Sequence, residues 1–476
     1  MKKLDIKNSF KTKKFKYGSY STAVTALVLA ILLVVNFVAG KINIKKDLTK
    51  EKIYSLSEES YKILKDLKND TKIIAFFEAG SENKNFTIIL DKYKAASDKI
   101  TVEYKDPIKN PQITQKYSKS GQTVGVNSIV VESGNKFKVI DYYDFFNVSY
   151  DQYGQQKVDS FAAEQQLTNA IVYVNSDKEQ ILYTLAGHEE KGLGDSITKQ
   201  LQAENYTIKE INLLQGGTEL NKEGTLVVVS PRRDLSKEEL EKIKAFLTSG
   251  GRAALFMDIT KETLPNFGEL LSFYGVKLQN ALAVEGEVQN VVQQPIDLLP
   301  EMQTHDIVNS LKSSKLPVLM PVSQGIDTIE LKRSTVKVEP LLSTTKNSWA
   351  KVNLNATSIV KEANDIQGPL NIAVAITDED TTAGRNTKLV VVGGTTFMED
   401  NVNSVTNGAN IDFIMNSFNW LQDKKDSVSI RPKSLTTESL MINVLQQLLL
   451  SGVVVILIPA VIMIMGITVW LRRRHR

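Results

Sequence analysis

The sequence predicts an α/β protein held in a membrane at both ends, and three observations predict it. First, residues 17–40 and 439–471 carry no charged side chain, and 448–471 is almost wholly Leu, Ile, Val and Met. A helix rises ~1.5 Å per residue, so ~20 apolar residues cross a ~30 Å hydrocarbon core. Second, short apolar runs such as Leu226–Ser230 alternate with amphipathic stretches such as Lys237–Thr248. That alternation predicts strands joined by crossover helices in a doubly wound sheet. Third, seven lysines precede the first stretch against Asp5 alone, and Arg472, Arg473, Arg474, His475 and Arg476 follow the second. Short basic flanks stay inside, which predicts cytoplasmic termini, a two-pass cell (plasma) membrane protein and a large extracytoplasmic domain.

The expected order is a basic tail at 1–16, a transmembrane helix at 17–40 and a thioredoxin-like α/β domain at 41–175. A doubly wound domain at 176–430 follows, Rossmann- or flavodoxin-like or glutaminase-amidotransferase-like, with an irregular insertion near 285–350. A linker at 431–447, a second helix at 448–471 and a basic tail at 472–476 complete it. Val38-Ala39-Gly40 also fits a signal-peptide cleavage site, the competing reading of the first span. Arg431-Pro432-Lys433-Ser434-Leu435-Thr436 is not a sortase pentapeptide, which excludes a cell-wall sorting tail.

Charge and composition narrow the function. Without the two tails the chain has 47 basic and 53 acidic residues, a net charge near −6. An acidic body with basic stubs argues against nucleic acid and for headgroup contacts at the tails. With no cysteine in 476 residues, disulfides, thiolate metal sites and cysteine nucleophiles are excluded. The first domain therefore lacks CxxC and is a scaffold.

The elements follow in order. Ser57 caps a helix on which Tyr61, Leu64 and Leu67 share a face. Lys72–Phe77 and Ile100–Tyr104 read as strands around a helix at 86–96, and Ser133-Gly134-Asn135 turns a hairpin between 128–132 and 136–140. Residues 160–174 form an amphipathic helix. The second unit then runs strand 180–185, helix 195–204, strands 207–211 and 226–230, helix 237–248 and strand 253–257. Ser236 and Glu239 form a capping box on its second helix, and Gly250-Gly251 ends it. Pro295, Pro300, Pro317 and Pro321 break the insertion. Strands resume at 370–376 and 388–392, before a last helix at 410–421.

Three loops fall where open α/β sheets bind ligands, beyond the carboxyl ends of strands. Gly187-His188-Glu189-Glu190 offers an imidazole and two carboxylates for binding or proton transfer; the competing reading is a polar loop that caps the next helix. Asp258 ends another strand. Gly393-Gly394-Thr395-Thr396-Phe397-Met398-Glu399-Asp400 adds Thr395, Thr396, Glu399 and Asp400, with a tight turn and solvated acids as its plainer reading. Gly187-x-x-x-x-Gly192 lacks the Lys and Ser/Thr of a phosphate loop, so no nucleotide motor is expected. There is no GxSxG.

Several segments resemble one family. KEKIYSLSEESYKILKDLKND (50–70), DPIKNP (106–111), EQQLTNAIVYV (164–174), LAGHEE (185–190), SPRRDLSKEELEKIKAFLTSGGRAALFMD (230–258), VVQQPIDLLPEMQTHDI (291–307) and VVGGTTFMED through NSFNWLQDKKDSVSIRPKS (391–434) are similar to GldG-type gliding-motility-associated proteins, auxiliary components of uncharacterised ABC-type transport systems. Where such proteins often carry Gly-Asp-Ser-Asp/Glu-Phe, this chain has Gly394-Thr395-Thr396-Phe397. The resemblance implies a non-catalytic, membrane-anchored auxiliary subunit, for substrate binding or coupling. Its partners would be separate permease and ATPase chains, membrane lipid and an unidentified extracytoplasmic ligand, with no cofactor or metal. An extracytoplasmic hydrolase or transferase using the Gly-His-Glu-Glu loop, and a ligand-binding envelope scaffold or sensor, are the alternatives.

Overall fold

A computed structural model of the chain describes residues 13–41, 47, 49, 52–118, 124–150, 156–176, 178–215, 219–330, 332–380, 384–406, 408–424, 430–435, 454 and 458–474. The chain divides into two compact units, Met1–Ser55 and Leu56–Arg476.

The two-span expectation is overturned: among the described residues no helix is long and apolar enough to cross a membrane. The helix Lys13–Lys41 is interrupted by polar side chains, and its unbroken apolar run, Ala26–Val35, is ten residues. The helix Ile458–Arg474 has 17 residues and ends in three arginines. Residues 448–453 and 455–457 of the expected second span, 436–447 of the linker and the tail residues 1–12 and 475–476 lie outside the described residues.

Among the described residues the body is mixed α/β with five sheets. In chain order the first strands are β1 Thr71–Phe76, β2 Ile100–Lys105, β3 Ile129–Ser133 and β4 Lys136–Ile140. They form one sheet in the order β2-β1-β3-β4, with β1 parallel to β2 and antiparallel to β3. The β3–β4 hairpin turns at Gly134, whose φ of +56° suits glycine. Ser57 caps the helix Glu58–Lys65 by accepting from Ser60 N–H. β5 Phe146–Tyr150 and β6 Gln156–Phe161 form a second hairpin, so Ser160 and Phe161 are strand and the helix expected from 160 starts at Ala163.

That helix carries Glu164, 4 % exposed, which gathers two distant parts of the chain. Its Oε1 accepts from Ser57 N–H at 2.5 Å and from Ser60 Oγ at 2.7 Å. Lys433 Nζ lies 2.7 Å from Oε2.

The large sheet takes β7 Gln180–Leu185, β8 Tyr206–Ile211, β9 Thr225–Val229 and β10 Arg252–Phe256. β11 Val276–Val284, β12 Asp297–Leu298, β13 Glu301–Met302, β14 Met320–Pro321, β15 Gln324–Thr328 and β16 Val336–Ser343 come next. Last are β17 Trp349–Lys351, β18 Ile366–Gln367, β19 Asn371–Asp380, β20 Arg385–Val392 and β21 Lys433–Ser434. Its order is β13-β16-β19-β20-β10-β9-β7-β8. The five strands from β20 to β8 are parallel, and β19, β16 and β13 add on antiparallel.

Alternate residues of the parallel strands enter two cores. Leu182, Val227, Val229, Ala254 and Phe256 face one side with Phe413 and Phe418 of the helix Ala409–Leu421. Leu226, Val228 and Leu255 face the other, against Ile243 and Leu247 of the helix Lys237–Thr248. Burial on both faces is why these strands read as unbroken apolar runs. The proline-rich insertion holds more structure than expected. β15-β11-β17-β18 is a sheet of its own, and β16 belongs to the large sheet, its Pro340 absorbed at a register shift. β21 pairs with β6, bringing the segment after the last sheet helix back to Glu164.

Candidate functional site

β7 lies between β8 and β9, so the direction of winding reverses beside it. The crevice beyond the carboxyl ends at such a switch point is the favoured ligand position. Loops from β7, β9, β10 and β20 meet there and tie one another through two polar clusters, the first partly open to solvent and the second buried.

The first cluster centres on Asp258, two residues past β10. Its Oδ2 accepts from Lys191 Nζ and from Ser230 Oγ, each at 2.8 Å. Its Oδ1 accepts from Thr395 N–H at 2.7 Å and Thr395 Oγ1 at 2.8 Å. Lys191 Nζ also donates to Thr395 Oγ1 at 3.1 Å. Burial pushes the Asp258 carboxyl up, but the bonds from Lys191, Ser230 and Thr395 outweigh it and hold the group below the usual carboxylate range. Ser230 sits at φ +48° immediately after β9, a left-handed conformation that costs a serine about 1–2 kcal/mol. Its N–H to Phe256 O at 2.7 Å and its hydroxyl to Asp258 hold it there.

The second cluster centres on His188, whose side chain is 5 % exposed. Nδ1 lies 3.0 Å from Glu190 Oε1 and Nε2 lies 3.2 Å from Glu239 Oε2. The His188 N–H donates to Glu190 Oε2 at 2.8 Å. Glu239 is the third residue of the helix Lys237–Thr248, and the same Oε2 completes the capping box by accepting from Ser236 N–H. The Glu190 hydrogen bond outweighs desolvation, and with Glu239 it raises the His188 pKa. A protonated ring donates to both carboxylates, which makes it an ionic clamp between the β7 loop and the helix cap.

Of the expected residues, the structure brings Asp258 to Thr395 and His188 to Glu190. Glu189 turns outward at φ +58° and pairs with Arg233 at 2.5 Å. Thr396 begins a short 3₁₀ turn, half-buried, while Glu399 and Asp400 are exposed at the start of the helix Asp400–Val405. Gly393 admits a close backbone approach, but from its own chain: a Cβ there would lie 2.1 Å from Gln324 O. Lys191, Ser230 and Glu239 escaped the sequence reading. Lys191 directly follows Gly-His-Glu-Glu and Glu239 was visible as a cap, which were the signals available.

The fold and these ties define a sheet-edge site on an α/β body whose strand-end loops are locked by internal ion pairs. Residues 181–417 match the family described as ABC-type uncharacterized transport system, and residues 50–148 match a domain of unknown function. The chain belongs to this auxiliary family and has a transport-associated auxiliary role. A comparison with curated proteins gives no match. Among solved structures, the mmIFT52 N-terminal domain is 18% identical at a TM-score of 0.37, over 53% of this chain and 99% of that domain. The exo-β-1,4-mannosidase Op5Man5 from Opitutaceae bacterium strain TAV5 is 9% identical at 0.27, and the match spans 70% of this chain and 48% of the enzyme. At these scores neither likeness bears on function.

Proposed function

We propose that the chain is a non-catalytic, GldG-like subunit of an ABC-type transport system that binds substrate or couples to it, and that separate permease and ATPase chains supply the energy. The observation that carries this reading is the state of the switch point. Where a nucleotide-binding sheet would present free backbone N–H groups and a lysine to phosphate, Lys191 is spent on Asp258 and Thr395. His188 likewise has a carboxylate at each ring nitrogen, which leaves no imidazole nitrogen for a substrate and weighs against the hydrolase or transferase alternative. Of the residues expected to bind a ligand, Glu189, Glu399 and Asp400 are exposed and Thr396 is half-buried, while His188, Glu190, Asp258 and Thr395 are engaged in ties between the loops.

The test is affinity purification of the tagged chain in mild detergent. Recovery with a P-loop ATPase and a multi-span permease is the expected result; recovery alone overturns the proposal. ATP hydrolysis by the isolated chain would overturn its non-catalytic part.

A further inference from the structure

The antiparallel half of the large sheet carries a cleft unlike the locked edge of the parallel half. Lys337 and Glu339 of β16, Thr377 and Glu379 of β19, and Asn386 and Lys388 of β20 occupy alternate positions and line one face. Register places Lys337 opposite Thr377, Thr377 opposite Lys388 and Glu379 opposite Asn386, so they form one polar floor. The helix Asp306–Ser313 contributes Asp306 and Asn309 as a wall, and Trp420 closes one side. The cleft encloses about 510 Å³. That lies within the ~300–1,000 Å³ typical of small-molecule sites.

Charge accounting selects the ligand. Lys337 pairs with Glu339 at 2.8 Å. Lys388 is 12 % exposed and held by Asp423 at 2.6 Å, by Trp420 O at 3.2 Å and against the Trp420 ring at 4.6 Å. It is therefore committed and not presented to an anion. Arg252 shares Asp423 at 2.8 Å. Counting Arg252 with Lys337 and Lys388, against Asp306, Glu339, Glu379 and Asp423, the neighbourhood has one net negative charge. Among the described residues no ion pair is recorded for Asp306 or Glu379. His305 Nδ1 accepts from Ile307 N–H at 3.2 Å, and desolvation lowers its pKa, so the imidazole adds no positive charge.

We propose that this cleft binds a small organic cation bearing a primary ammonium group, held between Asp306 on the helix wall and Glu379 on the sheet floor. Both carboxylates are exposed, so a cation reaches them without displacing a protein partner. The floor's polar residues then have a use that strand packing alone does not give them. The inference stands apart from the transport reading, and either can fail without the other.

Trp420 is the natural reporter. The full chain is titrated with 1,4-diaminobutane, its di-N-acetyl derivative and succinate while tryptophan fluorescence is followed. The diamine is expected to give a saturable change, lost in Trp420→Phe and weakened about tenfold in Glu379→Gln, the loss of one charge-assisted contact. Asp306→Asn is expected to weaken it similarly from the opposite wall. Thermal melts establish that each variant stays folded, and exposed Glu379 is the variant least able to disturb folding. No saturable response to the diamine below about 10 mM, a weak limit for a specific site, would overturn the proposal. So would an equal response to the neutral or anionic probe, a response surviving Trp420→Phe, or unchanged affinity in Glu379→Gln.

Discussion

The two halves of the large sheet solve opposite problems. The parallel half, β20 through β8, is covered on both faces, and its strand-end loops are bound together by Asp258 and His188. The antiparallel half, β13, β16 and β19, leaves a polar concave floor. In the first, His188, Glu190 and Glu239 are buried against one another; in the second, Lys337 and Glu379 stand toward solvent. A buried ion pair that loses one partner strands the other, whereas an exposed group loses little. The contrast therefore sorts substitutions by half rather than by residue type.

The largest effect is expected at Asp258. Asp258→Ala removes the acceptor for the buried Ser230 and Thr395 donors, the Lys191 contact being solvent-screened, and should cost about 3 kcal/mol of stability in urea unfolding. A loss below about 1 kcal/mol would mean that the lock does not hold the loops. Because its folded pKa is lowered, Asp258 contributes fully above its unfolded pKa near ~3.9, and that contribution fades as pH falls through the folded value.

Next comes Gly393, where β20 meets β15. Gly393→Ala would push a methyl into Gln324 O and should cost about 2–3 kcal/mol, read by the same unfolding.

His188 gives a smaller effect with a distinctive pH signature. Its raised pKa means that the clamp's contribution is complete below the unfolded value near ~6.5 and is lost as pH rises through the folded value. Stability should decline from about pH 6.5 upward, and His188→Gln should flatten that slope. A wild-type curve as flat as the variant's would remove the clamp from the account.

The smallest effect belongs to the open half. Glu379→Gln should change stability by less than about 0.5 kcal/mol, as expected of an exposed side chain. A loss as large as that at Asp258 would erase the distinction between the halves.

The same division governs what the sequence revealed. β7, β9 and the helix Lys237–Thr248 were legible because each signal is local: apolar runs, and a capping box whose two partners sit three residues apart. β16 was hidden inside the segment that Pro295, Pro300, Pro317 and Pro321 mark as irregular, and only the register shift against β19 shows how the strand accommodates its own Pro340. β5 and β6 went unseen because no strongly apolar face marks them. At the site, Asp258 and Thr395 were each flagged alone. Their bond spans 137 residues and the Lys191–Thr395 contact 204, separations that no spacing rule detects. Glu239 was read only as a cap, since its second partner, His188, lies 51 residues away.

Glu164 holds Ser57 and Lys433 on its two oxygens, while β21 zips onto β6 beside it. Pulling these two attachment points apart would therefore load a carboxylate, a lysine and a two-residue ladder before it strained the eight-stranded sheet.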